Sequence, residues 1–125
     1  PEFVREFQAG TVERGVPDEF MDMIVSESLR VPATIWQTIL ASLRKEDLTD
    51  HLSRIAAPSL LLWGNRDTLL DRASQESLAA GIQGSRLIEI EGSGHSPHWE
   101  EPETVARHIE AFVRKLAISP AQAAA

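Results

Sequence analysis

Apolar residues recur three and four positions apart through the first fifty residues: Phe3 and Phe7, Phe20 and Ile24, then Ile35, Ile39 and Leu43. That spacing predicts three or four short helices, because side chains one helical turn apart share a face. Gly10 and Gly15-Val16-Pro17 punctuate the first two, and Pro17 followed by Asp18 and Glu19 suits a first turn where acidic groups meet the helix dipole. Val31-Pro32 marks another restart, and Asp47 or Thr49 is placed to cap a last short helix carrying Leu52 and Ile55. Met21, Met23 and Trp36 are read as packing residues of this helical part rather than as a substrate pocket.

The pattern changes near position 56. Ala57-Pro58 leads into Ser59-Leu60-Leu61-Leu62-Trp63, a continuous apolar run stopped by Gly64, which predicts a strand buried on both faces of a parallel sheet. A helix is expected over Arg72 to Ile82, with Gly84 just past its end, and a second, half-alternating strand over Arg86 to Glu91. The last helix starts at Pro102, has Glu100, Glu101 and Glu103 as partners of its N-terminal dipole, and carries Val105, Ile109, Phe112, Val113 and Leu116 as one apolar stripe. Strand, helix, strand, helix is a βαβα unit with parallel neighbouring strands. Two strands do not make a stable parallel sheet, and nothing in residues 1 to 55 reads as a third. The open edge of the Leu-Leu-Leu-Trp run predicts self-association of the isolated chain.

In open parallel sheets, reactive groups gather beyond the C-terminal ends of the strands. Gly64-Asn65-Arg66-Asp67 follows the first strand and Gly92-Ser93-Gly94-His95 the second, so a carboxylate and an imidazole leave the same sheet edge. A histidine acting as general base needs an acceptor on its second ring nitrogen to hold the tautomer and stabilise the imidazolium. Asp67 is the expected acceptor, with Asp71, further from the strand end, as the weaker alternative. His95 and His98 form a His-x-x-His pair, but Pro97 lies between them and no cysteine exists in the chain, so a zinc site is disfavoured. His51 and His108 fall on predicted helices as ordinary surface or half-buried residues.

Composition narrows the classes. Lys and Arg number 12 against 19 Asp and Glu, a net charge of −7 with no basic block, which argues against nucleic acid as a partner. No apolar run approaches the roughly 20 residues of a membrane-spanning helix, so no membrane partner is expected. The absence of cysteine removes disulfides and thiolate nucleophiles without naming a compartment, and the cytoplasm is only the default.

Pro58 to Asp67 resembles the seventh strand and acid loop of the α/β-hydrolase family, and Glu91-Gly92-Ser93-Gly94-His95-Ser96-Pro97-His98-Trp99-Glu100-Glu101-Pro102 is similar to its histidine loop and the start of its last helix. The likeness covers about residues 52 to 116. It implies an α/β fold: residues 1–50 a lid and return-helix segment, 51–118 the C-terminal part of the hydrolase core, and 119–125 a flexible tail. By resemblance Asp67 is the triad acid and His95 the triad base of a serine-type hydrolase acting on an ester-like small molecule, with no metal or organic cofactor required. The family's Gly-x-Ser-x-Gly nucleophile elbow does not occur: Ser93 is flanked at two residues by Glu91 and His95, and Ser96 by Gly94 and His98. At 125 residues and opening Pro1-Glu2-Phe3, the chain is expected to be a fragment of a larger domain, inactive alone. A non-catalytic α/β interaction module is the alternative from another class.

Overall fold

The computed structural model describes residues 2–118, so the expected tail at 119–125 lies outside the described residues. Three helices come first: α1 (Glu2–Ala9), α2 (Asp18–Arg30) and α3 (Ala33–Leu43). A 3-10 helix (Thr49–Arg54) follows, and Asp47 orders its approach by accepting the Thr49 amide at 3.0 Å. Pro17 and Pro32 stand immediately before α2 and α3, where a residue without a free N–H costs the helix nothing. Then come β1 (Leu60–Gly64), α4 (Arg72–Gly81), β2 (Arg86–Ile90), the short α5 (Pro97–Glu100) and α6 (Pro102–Ile118).

β1 and β2 pair in parallel, with Leu60 opposite Arg86 and Gly64 opposite Ile90. Helix α4 packs on both strands, while α5 and α6 contact β1. The 3-10 helix lies against α4, and Gly81 permits it, since a Cβ there would come 2.7 Å from Leu52 Cδ1. Trp63, Ile82, Ile90 and Val105 form the buried centre of this half. In the helical half, Met21, Ile24 and Val25 of α2 are buried, and Gln8 of α1 donates to Ser28 Oγ at 3.0 Å. The halves meet where Phe20 of α2 sets its ring edge-on to Trp99 of α5, 5.9 Å between centroids.

Three expectations from the apolar pattern need correction. β1 is half-buried at Leu60, Leu61 and Leu62, not sealed on both faces, because the described residues offer it one neighbouring strand. On the α6 stripe Val105 is buried, whereas Ile109, Val113 and Leu116 are exposed. Of the three packing residues assigned to the helical part, Met21 is buried but Met23 is exposed and Trp36 is 47% exposed, its indole N–H reaching Ser28 O at 3.3 Å. Helix α3 buries none of its residues, and its Ile35, Ile39, Leu40 and Leu43 are all exposed among the described residues. Exposed apolar patches of this kind mark contact surfaces or aggregation liabilities. Among the described residues no helix is long and apolar enough to cross a membrane.

Candidate active site at the C-terminal edge of the sheet

Because β1 and β2 are parallel and in register, the loops that follow them start side by side. Two backbone bonds tie the first loop to the end of β2 and to the second loop: Asn65 N–H to Ile90 O at 3.2 Å, and Arg66 N–H to Ser93 O at 2.9 Å. Asn65 adds a side-chain bridge, accepting the Gly92 amide at 2.7 Å and donating to Glu89 Oε1 at 2.9 Å. The approach is so close that a Cβ on Gly64 would overlap the carbonyl oxygens of Ser93 and Gly94. Gly92, at φ 76°, makes the left-handed turn that carries the second loop over the strand ends.

The acid loop is closed by its own side chains. Asp67 Oδ1 accepts the amides of Leu69 at 2.8 Å and Leu70 at 3.1 Å, and the Trp63 indole donates to Leu70 O at 3.0 Å. That leaves Oδ2 of Asp67 aimed at the other loop, where it lies 2.9 Å from His95 Nδ1. The Asp67 side chain is 3% exposed and that of His95 36%. A buried carboxylate thus grips one ring nitrogen of a half-open imidazole. Since the carboxylate can only accept, Nδ1 carries the proton and donates, and Nε2 makes no hydrogen bond among the described residues.

Burial alone would raise the Asp67 pKa, but the hydrogen bonds from His95, Leu70 and Leu69, with the charge of His95, outweigh it and hold the carboxyl below the ordinary carboxylate range. A depressed folded-state pKa contributes stability above the unfolded pKa of about 3.9, and that contribution is lost as pH falls through the folded value. An NMR titration of the Asp67 carboxyl carbon should therefore give a midpoint below about 3.9. A midpoint at or above that value would contradict the hydrogen-bond account.

The other residues singled out in the sequence have different places. Asp71 is the N-cap of α4, accepting Ser74 N–H at 2.8 Å, so it serves the helix and not the histidine. His98 projects outward beside Trp99, the rings 5.2 Å apart and tilted. Ser93, within the histidine loop, is fully buried, and its Oγ has no partner among the described residues. Glu100 and Glu101 depart from the helix-dipole reading. Glu100 accepts the amides of Glu13, Arg14 and Gly94, while Glu101 pairs with Arg14. Only Glu103 stands in the first turn of α6 as expected. Two of these partners of Glu100, Glu13 and Arg14, lie in the segment after α1, and no local pattern in the sequence points to them.

The model of the Alpha/beta hydrolase family matches residues 2–108. Monoacylglycerol lipase abhd6-A of Xenopus laevis is 26% identical over 106 residues, covering 81% of this chain and 31% of the relative. Pimeloyl-(acyl-carrier protein) methyl ester esterase of Xanthomonas campestris pv. campestris is 33% identical over 84 residues, 67% of this chain and 33% of the relative. Among solved structures, the esterase EaEST from Exiguobacterium antarcticum superposes with a TM-score of 0.80 at 27% identity, covering 91% of this chain and 42% of that one. The chain spans about a third of the length of the curated relatives it matches. With a family match across residues 2–108 and an esterase fold laid over nine-tenths of its length, this chain belongs to the alpha/beta hydrolase family.

Proposed function

We propose that this chain provides the acid and the base of a serine-hydrolase triad that cleaves an ester-like small substrate, Asp67 being the acid and His95 the base. The observation that carries the proposal is the 2.9 Å contact between Asp67 Oδ2 and His95 Nδ1, made from neighbouring loops at the C-terminal edge of a parallel sheet. The relatives support the bond type, since a lipase and two esterases are among them.

In the reaction, Nε2 of His95 takes the proton of a serine hydroxyl as that oxygen bonds to the ester carbonyl carbon. It then returns the proton to the alcohol oxygen as the acyl–oxygen bond breaks. Asp67 keeps Nδ1 protonated and stabilises the imidazolium between those events. A water repeats the sequence to release the acid.

The serine is assigned to polypeptide outside these 125 residues. No Gly-x-Ser-x-Gly occurs in the chain, and Ser93, the serine nearest in sequence to His95 on its N-terminal side, is buried. The uncovered faces of α3 and α6 support the same reading, because they are apolar surfaces that the rest of a hydrolase core would bury. Labelling with a fluorophosphonate tests it. The 125-residue chain should stay unlabelled and hydrolyse p-nitrophenyl acyl esters no faster than free imidazole, whereas the longer polypeptide should label at one serine. Stoichiometric labelling of the 125-residue chain would place the nucleophile inside it and overturn the assignment.

A further inference from the structure

We infer that Glu100 is a positioning residue for His95, acting as a latch between the histidine loop and the segment Thr11–Arg14; the inference rests on the triad reading of His95. Glu100 is the last residue of α5, five positions after His95, and its carboxylate bonds no amide of α6. Instead Oε1 accepts Gly94 N–H at 2.7 Å, and Oε2 accepts Glu13 N–H at 2.9 Å and Arg14 N–H at 2.6 Å. All three donors are backbone amides, so the bonds fix the course of the chain and not the rotamer of a side chain. A carboxylate is also the group this arrangement demands, because both of its oxygens must accept at once.

The segment holds the histidine from both sides. Gly94 precedes His95 and is tied through Glu100. Ser96 follows it, and its N–H donates to Thr11 O at 2.9 Å. The packing between them leaves no slack, since a Cβ on Gly94 would lie 2.8 Å from Glu13 N and 3.1 Å from Val12 C. Arg14 closes the contact further upstream, donating from Nε to Gly92 O at 3.2 Å and from Nη2 to Glu91 O at 3.3 Å, and pairing with Glu101. The backbone that sets the distance from His95 to Asp67 is therefore held to the helical half of the chain by the side chains of Glu100 and Arg14, and Glu100 is the one that bonds the residue next to His95. Small displacements of a general base are costly in rate while leaving substrate affinity largely untouched.

The test uses the ester-hydrolysing polypeptide that contains this chain. Glu100→Gln presents an NH2 where one set of amides needs an acceptor, and it should lower kcat roughly 10- to 100-fold with KM within about twofold. The downfield Nδ1–H proton resonance of His95 should shift or broaden, and Gly94 amide exchange should accelerate. Glu103→Gln, which removes a neighbouring charge without touching the latch, should match the parent. Should Glu100→Gln not fold, Glu100→Asp, one methylene short of spanning both sets of donors, should show the same kcat loss. If His95→Ala abolishes turnover while the Glu100 variant keeps kcat within twofold and an unchanged His95 resonance, the latch is wrong and the triad stands. If His95→Ala turns over like the parent, the triad reading itself has failed.

Discussion

Under the proposed function, replacing His95 with alanine in the longer polypeptide should lower kcat for ester hydrolysis by at least about 10⁴-fold, and Asp67→Asn by about 10³- to 10⁴-fold, with KM little changed in either. The two losses have different causes. Without His95 no group is placed to take the serine proton. With asparagine at 67, the imidazole remains, but its partner can present an NH2 to Nδ1, which favours the tautomer with the proton on the wrong nitrogen. The imidazolium also loses its countercharge. Asp67 is suited to that duty because its hydrogen bonds from Leu69, Leu70 and His95 hold it ionised. Steady-state kinetics with an activated ester decide the matter, and a His95→Ala protein within tenfold of the parent would end the proposal. The asparagine variant should still label slowly with a fluorophosphonate, since its histidine and serine are both present.

Gly64→Ala should be the most destabilising single methyl in the sheet, costing about 3 kcal/mol or more. Gly64 is the last residue of β1, paired with Ile90, and its missing side chain is the space occupied by the carbonyl groups of Ser93 and Gly94. The clash is with backbone, so no rotamer change relieves it. Relief requires the histidine loop to lift, which breaks the Arg66 N–H to Ser93 O bond and carries His95 away from Asp67. Stability and turnover should therefore fall together. Urea unfolding of the parent and variant polypeptides provides the first measurement, and a midpoint unchanged by the substitution would show that the loop tolerates the shift.

The amino-acid sequence by itself determined the elements that are local in the chain. The Leu-Leu-Leu-Trp run, the half-alternating Arg86–Ile90 segment and the glycines after each are short-range patterns, so both strands, their parallel pairing and the loops bearing Asp67 and His95 were legible without coordinates. Pro17, Pro32 and Pro102 marked three helix starts for the same reason. Helix α5 was not legible, because four residues are too few to show a helical period. Which apolar residues are covered was also beyond the pattern: Met23 and Trp36 have core-like side chains, yet exposure depends on what packs above them. Which of Asp67 and Asp71 meets His95 turned on three-dimensional direction, since one carboxylate faces the histidine loop and the other caps α4. Glu100 is the clearest case. Beside Pro102 it reads as a partner of the α6 dipole, a local role, but it is claimed by amides of Glu13 and Arg14 more than eighty positions earlier. A periodicity reports which face a residue occupies on its own element; only the folded chain decides which distant backbone amides a carboxylate can reach.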